Sequence, residues 1–553
     1  MARLATLNCY RKYHPKIFSV ARKIGIVGIL CFGLSNNIYA VSHLTLMSHT
    51  LTPKPAEINI INALDHTTLP LKKPLNELYQ LRDYKLIWSD GTQYQENAKQ
   101  LFQSIQQANK FGLNPYDYDA ELIQSFLEAT SIDKDLLSKS DIVFSHAYIK
   151  FVSHIYKGKL NNPHKLFDQN SQLLNQLNNA ANNNTIIEAI DNFQPKHGPY
   201  INLIQALNHY KELDVSHETI KLTERSYEIG DHSEEIPKIR QRLHTLGDLD
   251  ESDLTSDVYD ENLMLGVSHF QVRHGLEPDG VLGKRTIREL NIPIWERIQQ
   301  LELNLARVRS LPDISVGKHL LVNIPAYKLY LYDNQQLTYK TNVVVGKKKH
   351  KTPTVSSQIT KIILSPYWHV PRSITKNEII PKLQQDPHYL VKNNMRLIST
   401  SPQLSRFIDP YSIDWTSIDP NNINFRIRQE PGNKNSLGNI KFIFPNRHSV
   451  YLHDTPSRGL FAQSQRAFSH GCIRLEDPFG LAETLLSSTG WSKYDLLDMS
   501  KKSKSKTLPL EQPIPIHLTY MTAWADDRGI INFRPDIYRR DSHVLANLYN
   551  AAL

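Results

Sequence analysis

The chain has 553 residues, is 40% hydrophobic and 22% charged, and carries a net charge of +9, so it is an ordinary globular composition long enough for two to four domains. The basicity sits at the start. Arg3, Arg11, Lys12, Lys16, Arg22 and Lys23 occur with no Asp or Glu before Ala40, and removing those six takes +9 to about +3. The charge therefore gives no ground for a nucleic-acid partner, and three cysteines (Cys9, Cys31 and Cys472) leave no intrachain disulfide once the N-terminus is removed.

Ile24 to Leu34 is an apolar run behind the basic residues, and Asn36 to Ala40 ends on a small residue. This layout predicts a secretory signal at 1–40, cleaved after about Ala40. The run is short for a bilayer span, with an uncleaved membrane anchor as the alternative. Residues 41–59 read as a flexible leader. Residues 60–225 read as helical: Ala98, Leu101, Ile105 and Ala108 recur at helical spacing, and Gly112-Leu113-Asn114-Pro115 ends that segment. Asn170 to Asn184 reads as a polar loop, and Pro195 to Gly198 as a second break.

Residues 233–292 predict three helices. One covers about Glu235 to Leu246 and is capped by Gly247, one covers about Glu261 to His274, and one runs from about Gly283 to Leu290, with Pro293 as a stop. From Lys318 the hydrophobic period shortens toward two. Strands are expected at Leu320 to Ile324, Lys328 to Tyr332, Thr341 to Val345, Ile359 to Leu364, Lys441 to Phe444, Ser449 to Leu452 and Ile514 to Met521. Residues 371–440 are mixed and read as an insertion within a domain at 318–500. Asp477-Pro478 starts a helix that Gly490 ends. Residues 501–553 read as a C-terminal extension. There are no tandem repeats and no glycine-rich phosphate loop.

Cys472 lies in Ser469-His470-Gly471-Cys472-Ile473-Arg474. A lone thiol in an exported chain invites oxidation, and a buried structural cysteine has no need of Gly471, Arg474 and two histidines as neighbours. A thiolate is the nucleophile, so an active cysteine needs a base or positive surroundings. His453, at an expected strand end, is one base. His470 is another, because residues i and i+2 share a face of an extended chain. Gly471 permits unusual backbone geometry and would leave amides beside the sulfur free to bind an oxyanion. Arg474 would share the face of Cys472 and suits a carboxylate; a structural salt bridge is its other reading. His448, His453, His470 and Cys472 could also be considered zinc ligands, but their spacing matches no zinc motif.

Tyr451-Leu452-His453-Asp454-Thr455-Pro456 and Ser469-His470-Gly471-Cys472-Ile473-Arg474-Leu475 together resemble the catalytic signature of L,D-transpeptidases with a YkuD-type domain. Val322-Asn323-Ile324-Pro325, Gly346 with Thr352-Pro353, Pro366 to Pro371, Gln429-Glu430-Pro431-Gly432, Leu437-Gly438, Phe444-Pro445-Asn446 and Tyr520 to Trp524 are similar to the large Gram-negative subtype. Leu246-Gly247, Phe270-Gln271, His274-Gly275-Leu276 and Asp279-Gly280 resemble a peptidoglycan-binding domain, and Ile87-Trp88 with Gly112-Leu113 the subtype's scaffold domain.

The resemblance implies an α+β multidomain protein: a helical scaffold at 60–225, a three-helix peptidoglycan-binding-like domain at 233–292, and a β-rich catalytic domain whose insertion at about 371–440 is a lid. It implies Cys472 as nucleophile, His453 as base and Gly471 as a backbone oxyanion donor. Arg474, Tyr451, Trp368, His470 and Ser469 are implied on the substrate side, with no cofactor and no metal. The implied partners are peptidoglycan stem peptides, a donor tetrapeptide and an acceptor amine, with other wall-synthesis enzymes; the implied location is the periplasm. The implied reaction joins third residues of two stems with release of D-alanine, on a thiol that carbapenems acylate. The acceptor amine could equally belong to a lipoprotein or a free D-amino acid. A zinc-dependent peptidoglycan hydrolase and a non-catalytic wall-binding scaffold are the two contrasting readings.

Overall fold

The computed structural model describes residues 55–160, 166–167, 171–213, 220–250, 253–400, 407–502 and 504–550. The expected signal at 1–40 lies outside them, as does most of the expected leader, whose end is already helical. The N-terminal region is built from α1 (Pro55–His66), α2 (Lys72–Gln80), α3 (Glu96–Gln106), α4 (Ala120–Leu127), α5 (Lys134–Lys157), α6 (Ser171–Asn182), α7 (Ile186–Phe193) and α8 (Gly198–Glu212). α5 is the hub. Phe144, Tyr148, Phe151, Val152 and Ile155 are buried on it, in one core with Leu75, Trp88, Leu101 and Ile190 from its neighbours. The expected loop at Asn170 to Asn184 is instead helix α6. Leu173, Leu174, Leu177, Ala180 and Ala181 fall on one helical face and are buried there, so the asparagines decorate the opposite face.

The three-helix unit is α9 (Ile236–Thr245), α10 (Glu261–His274) and α11 (Lys284–Leu290). It has its own core of Ile239, Leu243, Leu263, Phe270 and Ile287. Its surface is locked to the C-terminal part of the chain. Arg534 donates to the carbonyl of Arg273 at 2.8 Å, His274 stacks on Phe533 with ring centres 5.5 Å apart, and a Cβ on Gly275 would come within 2.4 Å of the Arg534 side chain.

Helix α12 (Ile294–Arg309) leads into the β-rich part, which comprises β1 (Lys318–Asn323), β2 (Lys328–Asp333), β3 (Gln336–Gly346), β4 (Val355–Leu364), β5 (Trp368–His369), β6 (Met395–Ser399), β7 (Phe407–Ile408), β8 (Phe425–Gln429), β9 (Ile440–Ile443), β10 (Leu452–His453), β11 (Ala467–Ser469), β12 (Ile473–Leu475) and β13 (Lys506–Thr519). The large sheet runs β11-β3-β12-β10-β9-β4-β13-β1-β2, and β2 pairs again with β3. That second pairing closes an eight-stranded ring, with β11 continuing the edge of β3 that β2 vacates: the amides of Val343 and Val345 donate to Tyr327 and then to Arg466. Leu320, Val322, Leu329, Ile362, Phe442, Leu452, Ile473 and Ile516 fill its core.

β13 corrects the expected boundary at 500. It lies in the segment read as an extension, yet it pairs with β4 on one side and β1 on the other. Its second half matches the strand expected at Ile514 to Met521, while Pro509 and Pro513 obscure the first half, because proline donates nothing to a ladder; a register shift between Pro509 and Ile514 accommodates them. The insertion between β4 and β9 holds short helices α13 (Arg372–Ile374), α14 (Ile380–Gln385) and α15 (Tyr389–Lys392) and a second sheet, β5-β8-β6-β7. Its own core includes Ile380, Leu383, Leu390, Leu397 and Ile427. Helices α16 (Pro478–Leu485) and α17 (Lys493–Lys501), the hairpin β14 (Ala523–Ala525) and β15 (Ile531–Phe533), and α18 (Asp541–Asn550) complete the chain. Among the described residues no helix is long and apolar enough to cross a membrane.

Candidate active site

The site follows from the pleat of two short parallel strands. β10 and β12 place Leu452 opposite Ile473 and His453 opposite Arg474. Leu452 and Ile473 are fully buried in the barrel core, so alternation turns Tyr451, His453, Cys472 and Arg474 to the other face. On the far side of β10, Lys441 of β9 is opposite His453. The expected strand at Ser449 to Leu452 is shorter and later, because Ser449 takes a left-handed φ of +55° and breaks the extended run. The outward patch forms the floor of a cavity of about 280 Å³. Trp368 lines its side, and Glu378, Ile379, Lys382 and Tyr389 from the insertion form its roof.

His453 is buried, with Nδ1 2.5 Å from the carbonyl oxygen of Asp454. Donation by Nδ1 leaves Nε2 with the lone pair. Burial first, then the charge of Arg474, pushes the imidazole down to about 3, against the hydrogen bonds to the carbonyls of Asp454 and Leu437. The ring is therefore neutral at pH 7. The Asp454 carboxylate points away, accepting from the Asn439 amide at 2.9 Å.

Burial raises the Cys472 thiol, while the Tyr451 amide and hydroxyl and the charges of Lys441 and Arg474 pull it down. The Tyr451 hydroxyl also interacts with the Trp368 side chain, so Trp368, Tyr451 and the sulfur form one chain. Lys441 lies 4.2 Å over the Tyr451 ring, its amine lowered by burial. The Nε of Arg474 is buried with no hydrogen-bond partner, and no carboxylate among the described residues pairs with its guanidinium.

The turn before the nucleophile is organised by Ser469. Its hydroxyl donates to the carbonyl of Cys472 at 2.5 Å and accepts from the Gly471 amide at 3.0 Å. The Gly471 amide, read from the sequence as an oxyanion donor, is thus already engaged. The Cys472 amide has no acceptor among the described residues, and neither does that of His470; of the two, the Cys472 amide adjoins the sulfur. His470 reaches the roof, its Nε2 2.5 Å from the Glu378 carboxylate, and its ring lies 4.7 Å from that of His350. His448 is exposed and accepts from Arg447, outside the patch. Among the described residues no three His, Cys, Asp or Glu side chains are grouped to hold a metal. Sequence reasoning missed Lys441, although alternation carried its signal: it is the polar residue between buried Ile440 and Phe442. Glu378 had no local signal.

A thiol, a neutral imidazole and an unpaired guanidinium on adjacent strands under a roof define a site suited to acyl transfer from an anionic substrate. Residues 317–496 match the L,D-transpeptidase catalytic domain (YkuD), residues 73–207 a scaffold domain, and residues 232–290 a domain described as "Putative peptidoglycan binding domain". The three matches fall on the helical region, the three-helix unit and the segment that holds His453 and Cys472. The chain is 36% identical over 259 residues to a Haemophilus influenzae protein described as "Putative L,D-transpeptidase", covering 47% of this chain and 50% of that one. The chain thus spans about half the length of the curated relative it matches. Solved L,D-transpeptidases from Xylanimonas cellulosilytica (15% identity, 54% of this chain and 100% of that one, TM-score 0.18) and Stackebrandtia nassauensis (12%, 54% and 97%, TM-score 0.21) are also similar; scores of that size carry no argument.

Proposed function

We propose that the protein is a peptidoglycan L,D-transpeptidase of the periplasm that joins third residues of stem peptides. The observation that carries this is the outward set Tyr451, His453, Cys472 and Arg474 on the β10–β12 pair, inside a segment matched to that catalytic domain. Cys472 gives its proton to Nε2 of His453 and attacks the carbonyl carbon of the donor's third residue. The tetrahedral oxyanion is held by the Cys472 amide. D-Alanine leaves with the proton from His453, and a thioester remains. An amine on an acceptor attacks that thioester, its proton passes through His453, and the thiol is restored as the cross-link forms.

The electrostatics suit this order. Thiol and imidazole are both neutral in the empty cavity. A donor carboxylate on Arg474 would cancel one of the charges that depress His453, so the base strengthens when substrate arrives. The roof excludes water and favours aminolysis over hydrolysis. The peptidoglycan-binding domain, docked on the C-terminal hairpin through Arg534 and Phe533, holds the polymer near the cavity. Intact mass after incubation with a carbapenem and with a tetrapeptide donor tests the reading. An adduct is expected on the wild-type chain and none on Cys472→Ala. No adduct on the wild type, or an equal one on the variant, overturns it.

A further inference from the structure

Thr352 lies in the turn between β3 and β4, far in sequence from the nucleophile, and is completely buried. Its hydroxyl accepts from the Gly346 amide at 2.9 Å and stands 2.9 Å from the carbonyl oxygen of Gly471. A hydroxyl has one proton, and Gly346 supplies its own, so the Thr352 proton goes to Gly471. A planar trans peptide sets the carbonyl of one residue and the amide of the next in opposite directions. Holding the Gly471 carbonyl toward Thr352 therefore aims the Cys472 amide away from Thr352. Ser469, His470 and Cys472 line the cavity and Thr352 does not, so that opposite direction is the cavity's side.

The clamp is built closely. Gly471 has a φ of +113°, open to glycine and strained for other residues. A Cβ on Gly346 would fall 2.0 Å from the His350 carbonyl and 3.1 Å from the Gly471 Cα. Thr352 is itself held by Tyr538 of the C-terminal segment, whose hydroxyl accepts from the Thr352 amide at 3.2 Å and donates to the Gly346 carbonyl at 2.5 Å.

We infer that Thr352 is a positioning residue for acyl transfer: its hydroxyl locks the Gly471–Cys472 peptide so that the Cys472 amide serves as oxyanion donor. The inference rests on the transpeptidase reading above, and two reactions of one thiol separate them. Carbapenem acylation passes through a tetrahedral oxyanion; alkylation by iodoacetamide is displacement at a saturated carbon and needs no oxyanion donor. In the full chain, Thr352→Val is expected to slow acylation about 10²-fold, the scale for losing one such donor, and to leave alkylation within about twofold. Thr352→Ser, which keeps the hydroxyl, restores acylation. Wild-type acylation in Thr352→Val, a proportional loss of both reactions, or a serine variant as slow as the valine one overturns the inference. A wild-type chain that alkylates but never acylates overturns the transpeptidase reading, and this inference with it.

Discussion

The scaffold and the catalytic barrel both bury ionisable side chains, and they finish the arrangement differently. In the scaffold, burial raises Asp141 to about 6. Its oxygens accept from the Tyr79 hydroxyl at 2.5 Å and from the amides of Ile87 and Trp88 at 3.0 and 2.9 Å. Ser145 closes the network on Tyr79 and the Trp88 indole. In the barrel, the Arg474 Nε and the Cys472 amide have no partner among the described residues and lie beside a cavity. The scaffold also buries unpartnered atoms, on Asn97, His146 and Tyr148, but none of those residues lines the cavity at Cys472; the saturated Asp141 network fixes a core, whereas an open group beside a cavity can bind something that arrives. A perturbed pKa alone does not distinguish the two cases.

The comparison breaks first at the sulfur. Cys472→Ala is expected to lose all turnover and all carbapenem adduct while its thermal midpoint stays within a few degrees of wild type; residual turnover by the variant would move the chemistry elsewhere. His453→Ala is expected to lower kcat by about 10²–10⁴, the range for a general base, with steady-state cross-linking as the measurement. Near-normal rates would hand the role to His470.

Asp141→Ala tests the other side. It leaves the amides of Ile87 and Trp88 without their acceptor, at about 1–3 kcal/mol for each stranded group, while the Tyr79 hydroxyl keeps Ser145. The thermal midpoint should fall on the order of 5–10 °C, with Cys472 acylation per folded molecule unchanged. A large loss of acylation in a folded variant would mean that the scaffold network reaches the chemistry.

Acid should weaken the whole chain, and the sign follows from which groups shift. Burial lowers His453 to about 3 and His197 and His517 to about 4, and drives His154 and His274 well below their ordinary value. Below about pH 6.5 the unfolded chain takes up protons that these folded imidazoles refuse, so their stabilisation is lost as pH falls toward 4. Asp141 runs the opposite way: its raised pKa stabilises in acid, and that is lost as pH rises through about 6. Burial raises Asp248, Asp454 and Asp541 in the same sense as Asp141, and the five histidines outweigh these four carboxyls. The thermal midpoint should be lower at pH 5 than at pH 7.5, and a flat or inverted profile would show the histidines solvated in solution.

Local rules made part of this legible. The three-helix unit carries its own caps, and its helices fall within about a residue of their expected bounds. The helical N-terminal half and β-rich C-terminal half were readable from the period of the hydrophobic residues. The outward set on β10 and β12 was readable from alternation once the strands were placed. What escaped depends on partners distant in the chain. Helix α6 hid behind asparagines on its solvent face. The second half of β13 was readable at Ile514 to Met521, but its first half hid behind Pro509 and Pro513 and is a strand because β4 flanks it. Thr352 meets Gly471 only because β3 pairs with β11 and β12, far along the chain.

The smallest expected effect lies at the roof. Glu378 sits in a π-helical turn, Thr375–Ile379, and meets His470 two residues before the sulfur. Burial lowers His470, Glu378 raises it, and Lys347 and His350 lower it. Both partners are partly exposed, where such pairs contribute about 0–1 kcal/mol. Glu378→Gln should therefore change kcat/KM by less than about fivefold. Its signature should be in the products: a looser roof admits water to the thioester, so the ratio of hydrolysed stem to cross-linked dimer should rise, as chromatography of the reaction would show. His470→Ala should shift the ratio the same way while keeping measurable cross-linking. If Glu378→Gln instead stops turnover with an unchanged product ratio, the carboxylate takes part in the chemistry. The roof would then belong with the barrel patch as a site of open capacity, and the contrast with the scaffold would have to be redrawn around it.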